Sequence, residues 1–191
     1  MLKDLVHKSR SYRGYDHSVK VSREELLKLV ELTRFCPSTM NCQALKFHIS
    51  YQEDEVRLVQ KQTGWAAALK DVSLPFPGTE PTAFITICID KSISTSRFLQ
   101  HDVGIAAQTM LLQATEDGLG GIIIGNLQRD RLREILKLGP ELEIAVVVAI
   151  GKPQEDITIV EMESGDSFTY YRDETKTHHY VPKRKLDEIL I

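Results

Sequence analysis

The sequence has few of the residues on which several classes of protein depend. It contains three cysteines, Cys36, Cys42 and Cys88, which cannot all pair within one chain. None of them forms a C-x-x-C pair or a metal-type cluster with the six histidines. A disulfide framework and a bound metal are therefore not predicted. We expect reduced, mostly buried thiols in a cytoplasmic protein.

The chain also lacks a long apolar run and a surplus of one charge. No stretch approaches the roughly 20 apolar residues that cross a bilayer, and residues 1–8 contain no apolar core of a secretory signal. The formal charge is −3 over 191 residues, whereas proteins that bind nucleic acid or anionic membranes usually carry an excess of Lys and Arg. We expect one domain, with neither nucleic acid nor membrane as a partner.

Familiar nucleotide-binding and catalytic signatures are missing as well. There is no G-x-x-x-x-G-K-[ST] loop, no G-x-G-x-x-G after a strand, and no G-x-S-x-G, H-E-x-x-H or paired-carboxylate pattern. His101 and Asp102 are adjacent, so their side chains would point in different directions on a helix. No catalytic side chain is predicted, and demanding chemistry would have to come from a cofactor.

The patterns that are present predict alternating helices and strands. The predicted helices span 22–35, 53–62, 97–117 and 128–137, and the predicted strands span 45–51, 83–89, 122–124 and 144–150. Such alternation indicates an α+β fold with three layers, in which a sheet is flanked by helices on both faces. The longest predicted helix carries a stripe of small side chains, which is either a core contact or a subunit contact.

A polar segment of about forty residues follows Pro153 and shows little apolar periodicity. It contains several aromatic residues and is hard to place inside a compact monomer. We therefore expect one domain over residues 1–191, in which residues from about 155 to 191 form a C-terminal extension that lies over a partner subunit.

Three clusters of residues could bind a ligand. Residues 10–15 place two guanidinium groups three positions apart, which suits a phosphate or another planar anion, although a solvated basic stretch is the alternative. Residues 36–43 offer Ser, Thr, Asn and Gln directly after a helix, which suits a polyol or a heteroaromatic ring edge; a well hydrogen-bonded loop is the alternative. Residues 183–185 form a basic cluster that could simply be solvated.

Taken together and in this order, these clusters resemble the FMN-dependent nitroreductase family. Residues 10–15 resemble its R-S-x-R-x-[FY] element, residues 37–43 resemble its P-S-x-x-N-x-Q element, and residues 118–125 resemble its G-L-G-x-x-x-I-G segment. The basic cluster at Arg184 resembles its C-terminal phosphate-binding residues. Each motif alone is weak evidence for the family, but four motifs in the right order rarely occur together by chance.

Two further segments resemble one subgroup of this family in particular. Residues 65–71 and 178–184 look like those of a short subgroup of the family that is common in anaerobic bacteria. The likeness therefore extends over essentially the whole chain.

The resemblance implies a nitroreductase-like mixed sheet and a homodimer that binds FMN at the subunit interface and exchanges the C-terminal extension. NADH or NADPH would deliver a hydride to flavin N5, and a nitroaromatic, a quinone or a similar small aromatic electron acceptor would then be reduced in a ping-pong cycle. A non-enzymatic flavin-binding or regulatory module on the same fold is the alternative.

The resemblance also implies which residues bind the cofactor. Arg10 and Arg184 are expected at the FMN phosphate with Lys183 close by, because a partly buried phosphate needs more than one cation. Ser11 is expected at the phosphate or ribityl end. Arg13 is expected near the N1/O2 edge of the flavin, where negative charge accumulates in the reduced ring.

Contacts from elsewhere in the chain complete the implied site. Three polar side chains are expected to reach the flavin from the other subunit: Ser38, Asn41 and Gln43. Backbone groups at Ile124 and Gly125 are expected near N5. Two positions depart from the family pattern, since Ser9 stands where some members carry Arg and Ala44 stands where many carry Pro.

Overall fold

Four strands form one antiparallel sheet, the main sheet. They are β1 (Leu45–Ser50), β2 (Ala83–Asp90), β3 (Gly120–Ile124) and β4 (Leu142–Gly151). Their order is β1-β2-β4-β3. The structure is a computed structural model that describes residues 1–69, 71–175 and 177–191. Lys70, which belongs to a segment that carries the family resemblance, lies outside the described residues.

Five helices accompany the sheet in the described part of the chain. They are α1 (Leu2–Lys8), α2 (Arg23–Leu32), α3 (Glu53–Gln60), α4 (Leu99–Glu116) and α5 (Arg129–Ile135), with single 3₁₀ turns at Thr33–Phe35, Thr39–Asn41 and Leu186–Glu188. The four predicted helices are present with slightly shorter bounds. Helix α1 is not apparent from apolar periodicity because none of its residues is buried.

The helices cover both faces of the main sheet, which confirms the three-layer α+β class. Every residue of β2 is buried. Ile85 and Ile87 point into an apolar cluster that includes residues of α2 and α4. Phe84 and Cys88 point to the other face, into a cluster with residues of α3 and α5. The β2 strand is continuously apolar because both of its faces are covered.

Local signals fix the ends of two helices. The Ser22 hydroxyl accepts a hydrogen bond from the Glu25 amide at 3.2 Å, and the Glu25 carboxylate accepts one from the Ser22 amide at 2.7 Å. This reciprocal pair is the capping box that the spacing predicts for α2. Gly118 follows α4 with a φ of +74°, a conformation that glycine adopts without a steric penalty.

The small-residue stripe of α4 is a core contact within the protomer. Its members are all buried: Val103, Ala106, Ala107, Met110, Leu111 and Ala114. The alternative interpretation of this stripe as a subunit contact is therefore wrong, because these side chains are already covered. The opposite side of α4 is exposed around Gly104 and Ile105.

The C-terminal extension forms a second, three-stranded sheet that the sequence pattern does not predict. Its strands are β5 (Asp156–Glu161), β6 (Tyr171–Arg172) and β7 (His178–Lys183), in the order β5-β7-β6. β5 and β7 are parallel, and β6 and β7 are antiparallel. The N-terminal segment contacts both the residues that lead into this sheet and the sheet itself, since Tyr15 bridges to Pro153 and Nη1 of Arg13 lies 3.3 Å from Nε2 of His179 in β7. Its exchange across a dimer stays a prediction.

The three thiols differ in exposure. Cys88 is buried, and burial raises the pKa of its thiol to about 11. Cys36 and Cys42 are partly exposed, so the expectation of mostly buried thiols is correct for Cys88 only. No helix in the described part of the chain is long and apolar enough to cross a membrane.

Candidate functional site

A cavity of about 350 Å³ lies where the N-terminal segment meets α4, the end of β3 and the C-terminal sheet. We call it the cationic cavity, and its lining includes Arg10, Ser11, Arg13, Tyr170, His179 and Lys183. Among the described residues that line it, none is Asp or Glu. A pocket with three cations and no carboxylate favours an anionic ligand.

Strand geometry decides which cation of the C-terminal cluster reaches this cavity. His179, Val181 and Lys183 alternate along β7 and line the cationic cavity together, because side chains two residues apart share one face of a strand. Arg184 lines a separate cavity beside Glu163. Within the protomer, the structure therefore brings Lys183 to Arg10 and places Arg184 elsewhere.

Arg13 is held on several sides. Its amide donates to the Glu155 carboxylate, and its Nη1 donates to the Ser11 carbonyl at 2.9 Å. Its guanidinium carbon lies 4.7 Å from the centroid of the Tyr170 ring. The residue is only 7% exposed, and this burial lowers the pKa of its guanidinium, against the opposing influence of Tyr170 and Glu155.

His179 completes the environment of Arg13. Its Nε2 lies 3.3 Å from Nη1 of Arg13, and the side chain is 1% exposed. Burial, together with the nearby charges of Arg13 and Arg172, lowers the pKa of His179 to about 4. Beside this pair, Glu155 forms a buried ion pair with Arg172. Sequence reasoning missed this network because its members lie far apart in the chain and match no motif.

A second cavity, of about 170 Å³, adjoins the loop after α2. We call it the polar-loop cavity, and its lining includes Cys36, Ser38, Gln43, Asp102 and Ala106. Of the three polar side chains that were expected to act together, Ser38 and Gln43 line this cavity. Asn41 lies in the same loop outside the lining set.

The backbone of this loop is strained and is anchored by Asp102. Met40, Asn41 and Gln43 have φ values of +49°, +53° and +51°, which non-glycine residues rarely adopt and which cluster at functional sites. Both carboxylate oxygens of Asp102 lie 3.0 Å from the Thr39 amide, and one accepts from the Thr39 hydroxyl at 2.9 Å. Asp102 therefore stabilises the loop through Thr39. The position of Asp102 next to His101 in the sequence does not predict this role.

The end of β3 places neighbouring residues in different surroundings. The Ile124 side chain is buried in the cluster with α3 and α5, whereas the Ile123 side chain lines the cationic cavity. The space around Gly125 is open, since no atom lies within 4 Å of the position that a Cβ would occupy, and its carbonyl accepts from Arg129 at 3.2 Å. The backbone role of Ile124 and Gly125 stays a prediction.

Several buried polar atoms on the two cavities have no hydrogen-bond partner among the described residues. They are Nε of Arg10, Nε of Arg13, Nδ1 of His179 and Oγ of Ser38. Buried polar groups in folded proteins are normally paired. Together with the surplus of cations, these atoms fit a ligand that combines a phosphate with polar ring edges.

The protein therefore has a three-layer α+β fold and a cavity whose lining suits an anionic ligand. The model of the family described as "Nitroreductase family" matches residues 6–152. The chain belongs to this family, which confirms the resemblance seen in its motifs.

Relatives and solved structures agree with this assignment. Protein DrgA of Synechocystis sp. is 23% identical, and the match covers 80% of this chain and 84% of that protein. An FMN-dependent nitroreductase from Clostridium difficile R20291 is 24% identical with a TM-score of 0.65, over 80% of this chain and 87% of that chain. A nitroreductase family protein from Streptococcus pneumoniae TIGR4 is 15% identical with a TM-score of 0.70, over 100% and 99% of the two chains. The last likeness includes the C-terminal sheet.

Proposed function

We propose that this chain is an FMN-dependent oxidoreductase that takes electrons from NADH or NADPH and passes them to a small aromatic acceptor such as a nitroaromatic or a quinone. The observation that carries the proposal is the cationic cavity, where Arg10 and Arg13 from one end of the chain meet Lys183 from the other end. Family membership gives this cavity its proposed ligand. When bound, FMN would supply the redox chemistry by exchanging a hydride at its ring.

The residues of the cationic cavity divide into two proposed roles. Arg10, Lys183 and Ser11 bind the phosphate, because two cations and a hydroxyl satisfy a partly buried anion. Arg13 lies deeper, and its guanidinium is proposed to face the polar edge of the flavin ring. Arg184 stays a proposed phosphate ligand, to be compared directly with Lys183.

We further propose that two copies of the chain complete the site. Ser38, Asn41 and Gln43 are separated from the cationic cavity within one protomer, although both cavities adjoin α4. The exposed face of α4 carries Ile105 and a glycine, Gly104, with open space beside it. A homodimer formed through this face would bring the polar loop of one protomer to the cationic cavity of its partner.

The dimer proposal has a direct test. We expect Ile105→Arg to convert a dimer into a monomer in light scattering and to weaken FMN binding in parallel. Leu58→Arg places the same charge at an exposed position of α3, on the other face of the sheet, and should leave both unchanged. A protein that binds FMN tightly as a monomer would overturn the proposal.

The cofactor proposal is tested by absorbance and by titration of the purified protein with FMN. Removing a charged hydrogen-bond partner costs about 1.5–3 kcal/mol, so Arg10→Ala and Lys183→Ala should each weaken FMN binding roughly 10- to 100-fold. Lys185→Ala is the matched control, because its ammonium pairs with Glu163 outside the cavity. A larger effect of Arg184→Ala than of Lys183→Ala would reverse their proposed roles. A colourless protein that takes up no FMN would refute the function.

Turnover distinguishes the enzyme from a flavin-binding or regulatory module. We expect steady oxidation of NADH or NADPH when menadione or nitrofurazone is the acceptor. A protein that binds FMN but oxidises neither nucleotide with either acceptor would be the module instead.

A further inference from the structure

The charge of Arg13 is not neutralised within the described parts of the chain. The Glu155 carboxylate uses one oxygen for the backbone amide of Arg13 and the other for the guanidinium of Arg172. No ion pair to Arg13 occurs among the residues that the structure describes. Both oxygens of Glu155 are therefore used by other donors, and the buried guanidinium of Arg13 lies on the wall of the cationic cavity.

Contact with Arg13 fixes the proton of His179. A guanidinium group can only donate hydrogen bonds, so Nε2 of His179, 3.3 Å from Nη1 of Arg13, must be the acceptor. In the neutral imidazole the proton then lies on Nδ1. A second proton on the ring would place an imidazolium against Arg13 in a buried site, which burial and charge repulsion both oppose.

We propose that His179 is a positioning residue: its neutral imidazole accepts a hydrogen bond from Arg13 and holds the guanidinium at the cationic cavity without neutralising it. This inference rests on the proposed function, in which Arg13 faces the flavin ring. A carboxylate in the same place would hold Arg13 equally well but would cancel its charge. A neutral acceptor holds the Arg13 guanidinium in place and leaves its positive electrostatic field at the cavity intact.

The first test uses the flavin-free protein. In a long-range ¹H–¹⁵N spectrum of the ¹⁵N-labelled protein at pH 7, we expect the His179 ring to carry its proton on Nδ1 and none on Nε2. The opposite tautomer, or a charged ring at this pH, would overturn the proposal. Because no FMN is involved, this result stands even if the proposed function fails.

The second test compares two variants of equal size with the FMN-loaded protein. His179→Gln retains a neutral acceptor, whereas His179→Glu introduces a carboxylate. The measured quantity is the ratio of the affinities for reduced and oxidised FMN, obtained from the two-electron potential of the bound flavin. We expect His179→Gln to change this ratio less than twofold and His179→Glu to lower it about tenfold, which is about 30 mV for a two-electron couple.

The outcomes separate positioning from simple packing. Equal shifts in both variants would mean that the ring only fills space, and no shift in His179→Glu would mean that Arg13 exerts no field on the flavin; either result overturns the proposal. Thermal unfolding of each variant establishes that it is folded. If His179→Glu does not fold, the tautomer measurement on the wild-type protein decides.

Discussion

The main sheet and the C-terminal sheet are stabilised in different ways. In β2 every side chain is buried, and residues such as Phe84 and Ile87 fill two apolar clusters. Within the described residues of β5, β6 and β7, only His179 is buried, and its ring contacts the Arg13 guanidinium and the Tyr170 ring. Apolar burial is strong and non-directional, whereas a buried polar network fixes particular atoms in particular places.

This difference explains where the candidate cofactor site lies. The cationic cavity is at the junction of the two regions, with Leu111 of α4 on its apolar side and His179 and Lys183 on its polar side. The main sheet supplies a rigid support. The N-terminal segment supplies Arg10 and Arg13, and the C-terminal sheet supplies Lys183 and the ring of His179. Glu155 connects the two regions, because it accepts a hydrogen bond from the Arg13 amide and forms an ion pair with Arg172.

The largest expected effect comes from the core of the main sheet. Phe84→Ala removes a fully buried ring, so we expect the free energy of unfolding in urea to fall by about 4 kcal/mol. Leu58→Ala, at an exposed position on α3, should cost less than about 1 kcal/mol. A loss at Phe84 no larger than that at Leu58 would contradict the view that apolar packing stabilises the main sheet.

The two regions also differ in how much the sequence reveals of them. The strand predicted at 83–89 and the helix predicted at 97–117 are confirmed, because continuous or periodic apolar residues report directly on burial. The capping box at Ser22 is equally local. The strands of the C-terminal sheet escaped prediction because their apolar runs are short. β5 alternates only from Asp156 to Ile159, and β7 contains two histidines and Pro182, so neither shows the long apolar pattern of β2.

The same reasoning applies to the candidate site. The motifs at residues 10–15 and 37–43 indicated which loops could bind a ligand, since they carry unusual concentrations of polar groups. They could not indicate that Asp102 anchors one loop or that His179 contacts Arg13. Both interactions join residues more than 60 positions apart, so each becomes visible only in the folded chain.

Acid should weaken the C-terminal sheet before the main sheet. The pKa of His179 is about 4 in the folded protein and about 6.5 when unfolded, so the unfolded chain binds this proton more readily. The stability contributed by the neutral ring is present above pH 6.5 and is lost as the pH falls toward 4, by about 2 kcal/mol at pH 5. Protonation of His179 is opposed by the charges of Arg13, Arg172 and His178. In the described part of the chain, Glu155 forms no hydrogen bond to the His179 ring, because its two oxygens already accept hydrogen bonds from other donors.

Hydrogen exchange at pH 7 and pH 5 measures this difference. After correction for the intrinsic rates, we expect β7 amides to lose protection at pH 5 while β2 amides retain it. His179→Gln should remove the dependence on pH. Equal loss of protection in β2 and β7, or an unchanged dependence in the variant, would show that another group is responsible.

A smaller effect is expected at the anchor of the polar loop. Asp102→Asn retains one acceptor oxygen for Thr39 but loses the charge that strengthens the bonds, so we expect a loss of about 1–2 kcal/mol. The strained residues Met40, Asn41 and Gln43 should then show increased hydrogen exchange or large amide shift changes. Asp130→Asn, exposed on α5, is the control. An unchanged loop in Asp102→Asn would mean that the strain is maintained by other contacts.

The smallest effect is expected from an exposed ion pair in the C-terminal region. The Lys185 ammonium lies 2.7 Å from the Glu163 carboxylate, but the side chains are 33% and 76% exposed, so water and salt screen their attraction. We expect Lys185→Ala to lower the unfolding free energy by less than about 1 kcal/mol, and we expect this difference to disappear in 1 M NaCl.

The buried ion pair between Glu155 and Arg172 is the comparison. Glu155→Gln breaks this pair, so we expect it to lower the unfolding free energy by about 3 kcal/mol and we expect this loss to persist in 1 M NaCl. Similar costs for the two variants would show that burial does not separate the two ion pairs, and that the polar network at Arg13 has no special part in stabilising the C-terminal sheet.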